Sequence, residues 1–333
     1  MNKKDLGLFV LIIVVGAIVT AMNQRFLLPI NIANTANLVG MFGISALGEA
    51  FVIITAGIEL SVGSMIALVG VLFVDFIANH NVPWPLAVLL MLLLGVVIGL
   101  FHGLLITRLK MQPFVVTLCG LLFYRGIARF YTQDSTAGFA FGQNFPDLEW
   151  ITAGRFYGVP NSFIAMIVLA IIMWFVLHRS VFGRYLYAVG KNEEAARYSG
   201  IKTGLVIVMA YVICQVLTVI SAIYFAMYTR SISPGSHGNF YELFAIAAAV
   251  LGGFSLRGGE GSIVGALLGV VLLQELQNLV NLLGIPSSLN FAVMGGVILI
   301  GVLVDQQFAV YRERRRIAEA ARQPSQPEVN PAE

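Results

Sequence analysis

The chain has 333 residues, of which 58% are hydrophobic and 11% are charged, and its net charge is +3. A soluble globular domain carries about 25% charged residues, so this composition excludes a disordered chain, a coiled coil and a nucleic-acid-binding module. A water-soluble enzyme is disfavoured, because so few charged side chains cannot cover so much apolar chain. The remaining class is a protein that crosses a lipid bilayer several times.

Apolar runs long enough to cross a bilayer follow one another along the chain. A spanning helix needs about 20 mostly apolar residues. The first run, residues 6–22, follows a basic start but precedes no small-residue cleavage site, so we predict a retained helix rather than a signal peptide. Nine further helices are predicted at residues 36–56, 62–78, 86–106, 114–132, 162–178, 205–228, 242–256, 263–283 and 291–310.

Two pairs of these helices are separated only by very short breaks, at residues 57–61 and 257–262. Short polar breaks that contain glycine are typical of broken or re-entrant membrane helices. The predicted fold class is therefore an all-α, polytopic transmembrane helix bundle of about ten spans, with one or two broken or re-entrant segments.

The basic residues predict which side of the membrane each loop faces. With the N-terminus in the cytoplasm, 15 of the 20 Lys and Arg residues fall in inner loops and three in outer loops, while Arg125 and Arg129 fall inside the fifth helix. Cytoplasmic loops are enriched in positive charge, so both termini are predicted there. We predict one transmembrane domain over residues 1–310, with a cytoplasmic loop at 179–204, and a basic, then polar, disordered tail over 311–333.

The sequence carries none of the common motifs for catalysis or metal binding. The patterns H-E-x-x-H and G-x-S-x-G are absent, and so are closely spaced Cys and His ligands. Residues 188–192 lack the first glycine and the Ser or Thr of a phosphate-binding P-loop. We therefore expect no catalytic residue, no metal and no cofactor. Any ATP that the protein uses would be hydrolysed by another chain.

The predicted cytoplasmic loop contains a short helix-forming stretch. Asn192 is a suitable N-cap, Glu193 and Glu194 would lie in the first turn, where the helix dipole favours acids, and Gly200 is a natural C-cap. Such a helix suits docking into a groove on a partner, and it equally suits a solvated connector. The residues concerned are Asn192, Glu193, Glu194, Ala195, Ala196, Arg197 and Gly200.

The segment F-G-R-Y-L-Y-A-V-G-K-N-E-E-A-A-R-Y-S-G-I, residues 182–201, resembles the coupling-helix region of bacterial monosaccharide ABC-importer permeases. This group includes permeases of the ribose, galactose, xylose, arabinose and rhamnose type, and the related autoinducer-2 permeases. Three further segments resemble motifs of the same family in the same order, at residues 57–64, 112–126 and 241–259. The resemblance covers roughly residues 40 to 305.

The resemblance implies the permease subunit of an ATP-driven ABC importer in the bacterial inner membrane, which moves a monosaccharide or a related small polyol-like solute. It implies three partners: a second permease copy or a related permease, a cytoplasmic ABC ATPase, and a periplasmic sugar-binding protein. The sequence departs from the family at Glu59 and Phe244, where Asp is usual, at Phe254, where Thr is common, and at residues 277–279, where Asn-Asn-Gly is usual. The alternative is an ion-coupled secondary transporter that uses Glu49 or Glu275.

Polar residues inside predicted membrane spans cost free energy, so their presence suggests a function. Gln274, Asn278 and Asn281 share one helix face, and amides suit hydroxyl-rich solutes because they both donate and accept. Hydrogen bonds between helices explain the same pattern equally well. The candidates for the substrate path are Glu59, Ser61, Glu242, Gln274, Gln277, Asn278 and Asn281. The candidates for structural ion pairs are Glu49, Arg125, Arg129 and Glu275.

Overall fold

The computed structural model describes residues 3–286 and, beyond them, only positions 289, 292, 295, 296 and 299. In chain order the helices are α1 (Lys3–Met22), α2 (Pro29–Ile53), α3 (Val62–Ala78), α4 (Trp84–Arg108), α5 (Pro113–Thr132), α6 (Pro146–Ala153), α7 (Asn161–Arg179), α8 (Val181–Lys191), α9 (Glu193–Tyr198), α10 (Thr203–Thr229), α11 (Tyr241–Leu251) and α12 (Ile263–Leu282). A 3-10 helix, Gln24–Leu27, joins α1 to α2.

Seven of these helices are long and apolar enough to cross a membrane: α1, α2, α4, α5, α7, α10 and α12. The prediction of a polytopic helical membrane protein is thereby confirmed. Two further apolar helices, α3 and α11, are shorter, and each adjoins one of the predicted breaks. The predicted helix at residues 291–310 and the predicted tail at 311–333 lie outside the described residues.

Helix α11 ends earlier than the apolar run predicts. Its last residue is Leu251 rather than residue 256, because Gly252 and Gly253 turn the chain away, with Gly253 at φ +91°. A Cβ atom on Gly252 would overlap the backbone oxygen of Gly265 near the start of α12, so the two helix ends touch backbone to backbone. With 11 residues at about 1.5 Å each, α11 is too short to cross a hydrocarbon layer of about 30 Å.

Two small antiparallel strand pairs lie in the loops. Strand β1 (Ala137–Gly138) pairs with β4 (Ser231–Ile232), and β2 (Arg155–Phe156) pairs with β3 (Val159–Pro160). The bundle itself is helical, as predicted, so these pairs only fasten loop ends.

A row of glycines brings α4 and α10 into close contact. A Cβ atom on Gly99 would lie 2.5 Å from the Cα of Val212, and one on Gly103 would lie 2.7 Å from the Cα of Val208. Gly95, four residues earlier, faces Val219 in the same way at 2.8 Å. Small residues spaced by four allow membrane helices to approach closely, because packing rather than hydrophobicity holds helices together in lipid. The four-residue spacing of these glycines is visible in the sequence, but this contact was not among the predictions.

Arg230, just after α10, fastens the loop between α5 and α7 (residues 133–160), which we call the outer loop because the sequence predicts that it faces outward. Its Nη1 donates to Glu149 Oε1 at 2.7 Å and its Nη2 to the Gln143 backbone oxygen at 2.6 Å. The guanidinium also lies over the Phe139 ring, 5.3 Å from its centre. The hydrogen bond from Arg230 holds the pKa of the Glu149 carboxyl below its ordinary value.

We expect the outer loop to loosen at acid pH. Because the folded-state pKa of Glu149 is lowered, its contribution to folding is complete above the ordinary value of about 4.3 and is lost as pH falls through the lower folded-state value. Hydrogen exchange of residues 133–160, corrected for the intrinsic effect of pH, should therefore show less protection at pH 3 than at pH 6. The matched control is E149Q, which still accepts from Arg230 and should lose this pH dependence; equal protection of the parent at both pH values contradicts the assignment.

Candidate functional site

The chain between α2 and α3, residues 54–61, is not helical, although helices of the bundle surround it. Backbone groups that lie away from water in a bilayer need partners within the protein. The Glu59 backbone N–H donates to Glu49 Oε1 at 3.1 Å. The Ser61 backbone N–H and hydroxyl both donate to Glu59 Oε1, at 2.8 and 2.6 Å. Acidic side chains therefore replace the helical hydrogen bonds that this segment lacks.

Three further helices contribute side chains to the same hydrogen-bond network. From α4, His102 Nδ1 lies 2.7 Å from Glu59 Oε2, and its Nε2 lies 2.8 Å from the hydroxyl of Tyr124 on α5. From α10, Gln215 Nε2 donates to the Ser61 hydroxyl at 3.1 Å. We call this set the break cluster: Glu49, Glu59, Ser61, His102, Tyr124 and Gln215. Glu49, Glu59, Ser61 and Gln215 are fully buried, and His102 is 1% exposed.

The side chains of the break cluster form hydrogen bonds with one another and with the segment, and they do not line an open surface. Glu59 and Ser61 were predicted for the solute path, and the structure surrounds both with protein partners. His102 is 43 residues from Glu59 in the sequence, so no local pattern could announce their pairing. The only sequence signal was that both are polar residues in apolar surroundings.

Glu242 lies where two short helices begin. It is in the first turn of α11, it is buried, and its side chain reaches Gly63 in the first turn of α3. A Cβ atom on Gly63 would overlap the backbone oxygen of Gly238, so the starts of α3 and α11 touch directly. A carboxylate between two helix N-termini is favourable, because each N-terminus carries partial positive charge.

Arg125 of α5 holds the segment that leads into α11. Its Nη1 donates to the backbone oxygens of Pro234 at 2.8 Å and His237 at 2.6 Å. The residue therefore secures a loop through backbone contacts, which differs from the ion pair with Glu49 or Glu275 considered from the sequence.

The other ion-pair candidates lie in three different environments. Arg129 pairs with Asp134 at 2.5 Å on the exposed surface, because the chain reverses at Gln133, which has φ +51°. Glu49 belongs to the break cluster. Glu275 packs beside Gly16 of α1, and its Oε2 is buried without a hydrogen-bond partner among the described residues. Within the same part of the chain, neither acid pairs with Arg125 or Arg129.

The amides of α12 do not act as one surface. Asn278 and Asn31 of α2 exchange two side-chain hydrogen bonds of 2.8 and 3.1 Å, and Asn278 also donates to Thr35. Asn278 therefore joins α12 to α2. Gln274 is buried, Gln277 is half-buried and Asn281 is exposed. The shared helix face therefore contains both packed residues and one that is exposed.

Helix α9 is capped at both ends by the residues that the sequence indicated. Asn192 Oδ1 accepts from the Ala195 backbone N–H at 2.9 Å. After the helix, Gly200 has φ +85°, its N–H donates to the Arg197 oxygen, and the Ile201 N–H donates to the Ala196 oxygen. This pair of bonds is a Schellman motif, which ends a helix sharply. A separate helix, α8, precedes α9 directly and was not predicted.

Within the part of the chain that the structure describes, almost every residue of α9 is exposed. Of the residues predicted for docking, only Ala196 is buried, and Glu193, Glu194, Ala195 and Arg197 are exposed. Tyr198, which the sequence analysis did not select, is 83% exposed. A large aromatic side chain on a protruding helix is typical of a contact residue.

The contact between His102 and Glu59 can be tested by substitution. We expect H102L to lower the stability of the folded protein by about 3–5 kcal/mol, because it leaves a buried carboxylate without its partner. E59Q should cost far less, since Gln can accept from Ser61 and donate to His102. Thermal unfolding in detergent is measured by the rate at which a thiol reagent labels Cys214, which is buried in the folded protein. The variants carry C119S, because Cys119 is exposed and would react without unfolding. Equal stability of H102L and the parent would show that the contact between His102 and Glu59 does not stabilise the fold.

Residues 31–303 match the family described as the permease component of branched-chain amino acid transport systems. The chain is 42% identical to the ribose import permease of Bacillus subtilis strain 168, over 91% of each chain. It is 38% identical to the ribose import permease of Escherichia coli K12, over 92% of this chain and 94% of that one. It is 32% identical to the galactofuranose transporter permease of the same organism, over 84% and 80%. No solved structure matches the chain.

These matches confirm the resemblance found in the sequence motifs. Together with the seven helices that are long and apolar enough to cross a membrane, they identify a multi-pass protein of the bacterial inner membrane. The chain belongs to the family of transport-system permease components.

Proposed function

We propose that this chain is the membrane-spanning subunit of an ATP-driven ABC importer for a monosaccharide or a related small polyol-like solute. The observation that carries the proposal is α9, a short helix capped at both ends and exposed on nearly every side, next to which a second chain can dock. The sugar class rests on the relatives, which are named as import permeases for ribose, galactofuranose and fructose.

ATP would be bound and hydrolysed by a separate cytoplasmic ATPase that contacts residues Asn192 to Gly200. A periplasmic sugar-binding protein would deliver the solute, and a second copy of this chain or a related permease would complete the channel. Movement of α9 with the ATPase would switch the path between outward and inward access. The permease itself needs only weak binding, because tight binding would slow release.

Burial and hydrogen bonding favour some of the predicted path residues over others. Glu59, Ser61 and Asn278 already bind protein groups, and Gln274 is buried. Gln277 and Asn281 keep accessible amides. Glu242 is as buried as Gln274, each being 6% exposed, but it lies at the meeting point of two interrupted helices, which is where transporters often place a solute site. We therefore retain these three as path candidates.

The ion-coupled alternative would need a carboxylate that is free to bind and release an ion or a proton. Glu49 instead accepts a hydrogen bond from the interrupted backbone, so a change in its charge would disturb the fold of this segment. Glu275, whose Oε2 is buried without a hydrogen-bond partner among the described residues, is the carboxylate on which this alternative would depend. The family match also favours an import permease over this alternative.

The function is tested by uptake into proteoliposomes. We expect labelled ribose to accumulate only when this chain, its partner ATPase, the binding protein and ATP are all present. Uptake by the chain alone under a proton or sodium gradient would contradict the proposal. Addition of an ionophore to the complete system is the control, and it should leave ATP-driven uptake unchanged.

The docking role of α9 is tested by reversing its acidic charges. We expect E193K/E194K to abolish copurification of the ATPase, because it places two positive charges in the first turn, where the helix dipole already disfavours them. The matched control is D147K, which reverses an acid in the first turn of another short helix, α6, on the predicted outer face. Normal ATPase binding and uptake in E193K/E194K would show that α9 is a connector.

A further inference from the structure

Three segments that are far apart in the sequence meet at one point beside α9. They are the end of α8 at Gly190, residues 54–56 at the first helix break, and residues 258–261 at the second. The Gly259 backbone N–H donates to the Ile54 oxygen at 2.8 Å. Both interrupted regions of the bundle are therefore attached to the loop that carries α9.

The contact is made by backbone atoms, and it requires glycine. A Cβ atom on Gly190 would overlap the Ile54 oxygen and would lie 2.5 Å from the nitrogen of Gly259. A Cβ atom on Gly258 would lie 2.8 Å from both the nitrogen of Ala56 and the oxygen of Gly190. Real Cβ contacts do not occur at these distances, so a side chain at either position would force the segments apart.

Conformation and side chains support the same contact. Gly258 and Gly259 have φ of +79° and +71°, which glycine adopts without strain. The Tyr187 hydroxyl donates to the Gly261 oxygen at 2.8 Å. Lys191 and Glu260 form a further pair at 3.3 Å, although its exposure makes it worth little energy.

Helix α9 is coupled closely to this point. Only Asn192 separates the last residue of α8 from the first residue of α9, so the two helices follow one another without a flexible linker. A displacement of α9 therefore acts directly on Gly190. The other route, through residues 199–202 into α10, passes through a turn with two described side-chain bonds, from Ser199 to the Ala195 oxygen at 2.9 Å and from Thr203 to Glu193 at 3.1 Å.

We propose that the backbone contacts of Gly190, Gly258 and Gly259 connect α8, α9 and both helix breaks rigidly, so that these segments move as one body. We call this set of contacts the joint. Movement imposed on α9 by the ATPase then reaches the chain before α3 and the chain after α11 at the same time. Gly190 is a positioning residue, since it acts on the path through the two breaks. This inference rests on the proposed function, because it takes α9 as the place where the ATPase acts.

The first test replaces the glycine at the centre of the joint. We expect G190A to retain the ATPase and its ATP hydrolysis but to lose sugar uptake by about 5- to 150-fold, the usual range of coupling between two sites. The matched control is G204A near the start of α10, where a new Cβ atom would lie 3.6 Å from Thr107, an ordinary contact, so uptake should be unchanged. Normal uptake in G190A would overturn the proposal.

The second test does not depend on whether G190A folds. In a C119S background, K191C/E260C can be joined by a short, cleavable bismaleimide cross-linker, since the parent side chains are in contact. If the joint moves as one body, the cross-linked complex should keep its ATP-driven uptake. Uptake that is blocked by the cross-link and restored by its cleavage would show that the segments must separate, and would overturn the proposal. Failure of the proposed function would appear differently, as absence of ATP-driven uptake in the parent complex.

Discussion

Inside a bilayer a backbone N–H or C=O without a protein partner has no water to bond with, and this constraint governs the segment between α2 and α3. Side chains from three helices bond directly to this backbone: Glu49 of α2 accepts from the Glu59 N–H, and Thr117 of α5 and Tyr211 of α10 donate to the Ile58 oxygen. His102 of α4 and Gln215 of α10 hold the side chains of Glu59 and Ser61 in the same segment. An unpaired backbone group in lipid costs several kcal/mol, so these helices cannot shift independently without losing a partner of the segment. The cluster thereby fixes where α3 begins, and with it the meeting point of α3 and α11.

The interrupted helices and the exposed helix belong to one arrangement. At one end of α3, Gly63 touches Gly238, which precedes α11. Beside α9, Gly190 touches Ile54 in the first break and Gly259 in the second. Both contacts use glycine for close backbone approach. Regular helices such as α4 and α10 form the frame, while the two breaks meet beside the exposed helix α9.

The sequence predicted the helices well because apolar length and local capping are local properties. The predicted bounds of α3 are those observed, and those of α5 differ by one residue. Asn192 and Gly200 take the predicted capping roles for the same reason. The partners of Glu59 and Asn278 could not be predicted, because they depend on helices that lie far away in the chain. The amide face of α12 illustrates the limit: helical spacing placed Asn278 and Asn281 together, whereas packing against Asn31 separated their roles.

The shortness of α11 has a consequence for biosynthesis. Eleven residues offer the insertion machinery a far weaker signal than a full span of about 20, so α11 cannot enter the membrane on its own hydrophobicity. Its position depends on Gly63 of α3 and on Arg125 of α5, which holds the approach to it. Both of these helices precede it in synthesis. The placement of α11 therefore relies on contacts with helices that are synthesised before it.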